Sequence, residues 1–78
     1  MQREEIRNRL IGLFSQVAPE IEEIDVEDDV NLQDQLDLDS VDMMNYIVKV
    51  QEDFSKEIPN SAYNNFMTIN GAIAYLMA

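Results

Sequence analysis

Between Glu4 and Val17 the apolar residues Ile6, Leu10, Leu13, Phe14 and Val17 recur every three or four positions, the spacing that lays side chains along one face of an α-helix. This predicts a first helix, stopped by Pro19. From Ala18 to Leu38 no period is sustained: acids dominate, with Ile21, Ile24, Val26, Val30, Leu32, Leu36 and Leu38 spread among them. That reads as a long ordered loop pinned by its aliphatic side chains. Periodicity resumes near Ser40. A second helix is predicted from Asp39 or Ser40 to about Ser55, opened by Asp39-Ser40-Val41-Asp42, which has the form of a capping box with Asp in the reciprocal position. The run Glu57-Ile58-Pro59 marks its end. Asn60 or Ser61 is the expected cap of a short third helix reaching about Phe66. Thr68 is the expected cap of a fourth helix running to Met77, with Ile69, Ala72, Ile73 and Leu76 on one face and Gly71 as its weak position.

No window alternates in the manner of a strand, and no repeat, linker or low-complexity tract interrupts the chain. The expected fold is therefore all-α, one domain over residues 1–78. Its form is a small four-helix bundle of three main helices plus one short helix, with a long loop between helices one and two.

The second helix carries more apolar surface than a core requires. At about 100° per residue, Met43, Tyr46, Ile47, Val50 and Phe54 fall on one arc and form the core stripe. Val41, Met44 and Val48 fall together on another arc, with Ser40 between the two and Asp42, Asn45, Lys49 and Asp53 making the polar remainder. Either the acidic loop folds over the second stripe, or the stripe is an exposed patch for another protein. Methionine suits the second account, because its flexible thioether adapts to differing surfaces.

Composition narrows the chemistry. A chain of 78 residues with 46% hydrophobic residues, two glycines and two prolines is too apolar for disorder, in spite of a net charge of −11. It contains no cysteine and no histidine, which excludes Cys/His zinc sites and the usual Ser-His and Cys-His nucleophile pairs. Catalysis of its own is not expected. Sixteen acids against five bases repel nucleic acid and anionic lipid and steer the chain toward basic protein surfaces. The opening MQREEIRNRL alternates charges where a secretory leader is apolar, and no run approaches the roughly 20 residues of a membrane helix. A cytoplasmic monomer is expected.

Three site hypotheses can be weighed from the residues. Asp25, Glu27, Asp29 and Asn31 can be set at positions 1, 3, 5 and 7 of an EF-hand, but Val30 then stands at the glycine position and Leu36 at that of the bidentate glutamate. Only weak divalent binding by clustered carboxylates is left, and no metal site is assigned. A hydrolase nucleophile at Ser40 lacks a base, an oxyanion hole and the G-x-S-x-G elbow. A third role needs no internal base: Ser40 as the acceptor of a group that another enzyme attaches. At a helix start its hydroxyl is exposed, and a phosphodiester there meets free N–H groups and the positive end of the helix dipole. Otherwise Ser40 merely begins a helix.

These residues resemble the acyl carrier proteins. Asp39-Ser40-Val41-Asp42 is similar to the D-S-[LMV] phosphopantetheine attachment motif. The run Glu52-Asp53-Phe54-Ser55-Lys56-Glu57-Ile58-Pro59 and the terminal pattern of Thr68, Ile69, Ala72, Ile73, Tyr75 and Leu76 extend the likeness over about residues 3–77. The resemblance implies an acyl-carrier-like bundle in which Ser40 receives 4′-phosphopantetheine from coenzyme A through a phosphopantetheinyl transferase, the holo-carrier synthase. The prosthetic thiol, absent from the chain itself, then holds acyl groups as thioesters. It also implies that Asp39, Val41, Asp42, Met44 and Val48 dock partner enzymes that load, condense or transfer acyl groups. Carriers of this kind can shelter an acyl chain between helices. Met43, Tyr46, Ile47, Val50, Ile58, Phe66 and Ile73 are the candidate lining, and they serve equally as ordinary core.

Two departures stand out. Leu36-Asp37-Leu38-Asp39-Ser40 has Asp37 where many fatty-acid carriers have glycine, and Asn45 replaces an acid usual five residues after the serine, with Lys49 adding a positive charge on the partner side of the second helix. Both point away from the housekeeping fatty-acid set and toward a polyketide, lipid-modifying or other dedicated pathway. The alternatives are a peptidyl or aminoacyl carrier of the same fold and, from another class, a cofactor-free acidic interaction module or cation buffer.

Overall fold

The computed structural model describes residues 2–20 and 26–78. Among the described residues there are five helical segments and no strand. They are α1 (Arg3–Val17), α2 (Leu32–Leu36), α3 (Ser40–Phe54), a 3-10 helix η1 (Asn60–Met67) and α4 (Ile69–Met77). The all-α expectation holds, as do the three long helices. Beyond the four expected segments there is α2, five residues long, inside the stretch read as loop.

α1 ends as expected just before Pro19, with the Ala18 amide donating to the Phe14 carbonyl at 2.9 Å. It packs on α3 and α4, and η1 closes against α4 and α3. One core lies between them. Ile6, Leu10 and Phe14 come from α1, Met43, Tyr46, Ile47 and Val50 from α3, Phe66 from η1, and Ile69, Ala72 and Ile73 from α4. Each large aliphatic or aromatic side chain so buried contributes roughly 1.5–3 kcal/mol. The sequence periods thus identify the inward faces of α1, α3 and α4 correctly.

The connector is held more by polar contacts than by the aliphatic pins expected of it. Val26 and Leu32 are buried and Leu36 and Leu38 pack on the core, but Val30 is 38% exposed. Ile21 and Ile24 lie outside the described residues. Gln35 spans the loop: its side chain accepts from the Glu27 amide at 2.8 Å and donates to the carbonyls of Glu27 and Val30 at 2.8 and 2.9 Å. Arg7 Nε lies 3.0 Å from both carboxylate oxygens of Asp28, and the Asp28 carbonyl accepts from the Asn70 amide at 3.0 Å. Asn70 also bonds Arg3 and Asp29 through its side chain. α1, the connector and the start of α4 are therefore tied at one point.

Local chemistry sets where α2 begins and ends. The Asn31 side chain accepts from the amides of Gln33 and Asp34 at 2.9 and 3.1 Å, an N-cap on a helix that the acid-rich composition obscures. Asp37 closes α2 in the left-handed region, at φ 53° and ψ 47°, with the Leu38 amide reaching back to the Gln33 carbonyl at 3.2 Å. That conformation is the physical reason a glycine is at home at this position, since an L side chain there costs roughly 1–2 kcal/mol and only Asn and Asp visit it with any ease. Asp37→Gly is accordingly expected to stabilise the fold by about 1 kcal/mol, raising Tm by about 4–8 °C in a thermal melt. A lower Tm for the variant would contradict this account.

η1 departs from expectation in two respects. It is wound as a 3-10 helix, and Pro59 rather than Asn60 or Ser61 occupies its N-cap, with no side-chain cap bond. A proline in extended conformation supplies the entry without a donor to satisfy. Thr68 caps α4 as expected, accepting from the Gly71 amide at 2.9 Å.

Candidate functional site

Ser40 is the first residue of α3, placed there by three turns of backbone chemistry. Asp37 reverses the chain in the left-handed region, Asp39 is extended at φ −96° and ψ 177°, and Asp39 Oδ1 accepts from the Asp42 amide at 2.9 Å. The expected capping box is thus half made: Asp39 caps the helix, while the Asp42 carboxylate returns no bond to Asp39. Ser40 itself is exposed, and no described residue hydrogen-bonds its hydroxyl. The first amides of a helix have no intrahelical partners, so an anion carried on Ser40 Oγ sits at the favourable end of the dipole. The chain has no histidine or cysteine, and hydrogen-bonded partners of the kind that activate a serine in a Ser-His pair do not accompany Ser40 among the described residues.

Beside Ser40 the second apolar stripe is open. Val41, Met44 and Val48 are 65%, 41% and 42% exposed, whereas Met43, Tyr46, Ile47 and Val50, one residue along in phase, are buried. Of the two accounts the sequence allows, the one in which the connector covers the stripe is not the one observed. Asp39 and Asp42 flank this surface, and no Lys or Arg occurs between Arg9 and Lys49. The bases lie elsewhere. Arg3 and Arg7 face Asp28, Arg9 pairs with Asp53 at 3.1 Å over the Phe54 ring, and Lys56 sits 5.0 Å from the Tyr75 ring centroid. Lys49 lines a shallow groove between α1 and α3 with Leu13, Gln16, Glu52 and Asp53. Asn45 is exposed.

The residues tried as a calcium loop serve other ends: Asn31 caps α2 and Asp29 accepts from Asn70, while Asp25 lies outside the described residues. Among the described residues no cluster of acids could hold a metal ion.

The seven candidate lining residues, Met43, Tyr46, Ile47, Val50, Ile58, Phe66 and Ile73, are all buried in the single core. Tyr46 differs from its neighbours. Its ring packs edge-on against Phe14, with centroids 5.0 Å apart and planes at 75°, yet its hydroxyl is buried without a hydrogen-bond partner. Leaving such a group unsatisfied costs about 1–3 kcal/mol. Burial also pushes the phenol well above its ordinary range, so it remains a proton donor throughout the accessible pH. An apolar reading of the stripe placed the ring correctly and gave no sign of the stranded oxygen.

A small helical bundle that presents an exposed serine at a helix start beside an apolar face flanked by acids is a form that comparison with known proteins assigns to carriers. Residues 8–76 match the family model described as the phosphopantetheine attachment site. The chain is 36% identical to an acyl carrier protein of Renibacterium salmoninarum over 92% of its length and 79% of the relative's. It is 32% identical to one of Acidothermus cellulolyticus, covering 97% of this chain and 89% of that one. In structure it is similar to the acyl carrier protein from Enterococcus faecalis, with a TM-score of 0.71 and 27% identity across 97% and 95% of the two chains. The chain belongs to the acyl carrier protein family, whose members bear covalent 4′-phosphopantetheine and are carriers rather than enzymes.

Proposed function

We propose that Ser40 is the point to which phosphopantetheine is joined, and that the face formed by Asp39, Val41, Asp42, Met44 and Val48 docks the enzymes that load and use the cargo. The observation that carries this reading is the exposed, unbonded Ser40 hydroxyl at the head of α3, next to an open apolar stripe. Ser40 fits a phosphodiester: its oxygen is accessible, it stands on a rigid 15-residue helix, and the dipole favours the added charge. Attachment would form a bond from Ser40 Oγ to the pantetheine-side phosphorus of coenzyme A, break that phosphorus's bond to the bridging diphosphate oxygen, and release adenosine 3′,5′-bisphosphate. The serine proton passes to a base of the transferase.

The group supplies the thiol on which acyl cargo is held as a thioester. This chain's own residues present it. Asp39 fixes the start of α3 through its cap, Asp42 offers an unengaged carboxylate to a basic partner surface, and Val41, Met44 and Val48 offer apolar area to bury. Arg7, Arg9 and Lys56 are turned toward acids or rings of the same molecule, which leaves Asp39 and Asp42 to set the charge beside Ser40, with Lys49 the base on α3. This supports a cytoplasmic monomer serving separate enzymes in fatty-acid, polyketide or specialised lipid assembly, with Asn45 and Lys49 favouring a dedicated set of partners. Among the described residues no helix is long and apolar enough to cross a membrane.

The test is direct. The apo chain is incubated with coenzyme A, magnesium and broad-specificity phosphopantetheinyl transferases, and its intact mass is measured. One added phosphopantetheine is expected on the parent and none on Ser40→Ala. An addition that survives in Ser40→Ala would place the arm on another residue.

A further inference from the structure

The Tyr46 hydroxyl is the buried side-chain polar atom that no partner satisfies among the described residues, and nothing in the carrier role described so far uses it. Its ring has a structural task against Phe14, but a phenylalanine would perform that task without stranding an oxygen. Folding alone therefore does not account for the hydroxyl.

The surroundings suggest what does. Met43 precedes Tyr46 by one turn on the same face of α3, Ile47 and Val50 continue that face, and the buried side chains of the core are otherwise apolar among the described residues. No other polar side chain is buried among the described residues. A single donor in an apolar enclosure is how a site orients a mostly hydrocarbon ligand. Met43 is the most adaptable of the neighbours and can repack around an occupant. Ser40 is six residues away, about 9 Å along the helix axis, so the tether stands at the head of α3 and Tyr46 near its middle.

We propose that Tyr46 determines cargo preference: its hydroxyl donates a hydrogen bond to an oxygen on the acyl chain, so that the interior shelters oxo- or hydroxy-acyl groups ahead of plain hydrocarbon ones. This rests on the reading of the chain as a carrier modified at Ser40. A donor fixed in the protonated state needs an acceptor, and a keto or hydroxyl oxygen supplies one, whereas a saturated chain would leave the phenol as stranded as before.

The parent and Tyr46→Phe are converted to the phosphopantetheine form and loaded with octanoyl, β-oxooctanoyl or δ-oxooctanoyl groups. Thermal melts and backbone amide shifts are then recorded for each. In the parent, an oxo cargo is expected to raise Tm by several degrees over octanoyl and to move the amide signals around Tyr46. In Tyr46→Phe that difference disappears, and the unloaded variant melts above the unloaded parent. Equal melting for all cargoes in the parent overturns the proposal without reference to the variant. So does an oxo advantage that persists in Tyr46→Phe, or an unloaded variant less stable than the parent, which would mean the hydroxyl already has an internal water as partner. Failure of the carrier reading looks different: no phosphopantetheine mass is added to the parent, and the proposal falls with it.

Discussion

Gly71→Ala is expected to lower Tm by about 10–20 °C, against the usual benefit of replacing a helical glycine with alanine. That benefit is at most about 1 kcal/mol. Here a Cβ would stand 2.2 Å from the Asn65 carbonyl oxygen and 2.9 Å from Thr68 Oγ1. The first contact is with backbone, so relief requires η1 and α4 to move apart, and overpacking of this kind costs about 1–3 kcal/mol or more. The second falls on the cap itself, because Thr68 Oγ1 is the atom that accepts from the Gly71 amide, and a lost cap costs about 1 kcal/mol. The net loss is about 2–3 kcal/mol, large for a domain of this size. Gly12→Ala provides the opposite case in the same molecule. Gly12 lies exposed within α1 with nothing inside 4 Å of a built Cβ, so alanine there is expected to gain about 1 kcal/mol. If calorimetry gave both variants the same sign, the close approach of α4 to η1 would be wrong.

If Ser40 is the attachment point, Asp42→Lys is expected to slow phosphopantetheine transfer on the order of tenfold at low ionic strength, while lowering Tm by several degrees and leaving the fold intact. The structure separates two roles that the sequence runs together. Asp39 supplies the capping oxygen, and Asp42 contributes only its backbone amide to that bond, so its carboxylate can be reversed while the cap stays. The fold loses the favourable meeting of an acid with the helix dipole and takes on an unfavourable one with lysine, each about 0.3–1 kcal/mol. The encounter with a basic enzyme loses in its turn, since lysine replaces attraction by repulsion two residues from the proposed attachment point. The deficit should shrink as salt rises, the Debye length falling from about 10 Å at 0.1 M to about 3 Å at 1 M. Glu57→Lys makes the same change in net charge beyond the far end of α3 and is the matched control. Equal slowing by both variants would assign the effect to total charge and remove the docking face from the argument.

What could be read from the sequence follows what repeats. Helices α1, α3 and α4 are long enough for a 3.6-residue period to show, and their inward residues are those the period selects. The division of α3 into a buried and an exposed stripe was legible for the same reason. α2 was not, because five residues give barely more than one turn, and its signal is a single Asn31 cap embedded among acids. The tie of Arg7, Asp28 and Asn70 was invisible because its members are far apart in the chain and join only through tertiary packing. Asp37 looked anomalous as a residue type, and only its backbone angle shows that the position demands a left-handed turn whatever residue fills it. Tyr46 was counted as apolar on its ring, and a hydropathy pattern carries no information on where a hydroxyl ends up.

Asp37 and Ser55, the two non-glycine residues at positive φ among those described, close the helix before α3 and α3 itself. α3 is thus bracketed by two backbone stops, and its phase about its own axis is held by Met43, Tyr46, Ile47 and Val50 inside. Val41, Met44 and Val48 take no part in that bracket, so exchanging them costs the fold little. If these three side chains form the docking face proposed above, partner choice can change one surface residue at a time while Ser40 keeps its place. On that proposal recognition and attachment share a helix, yet they are free to evolve apart.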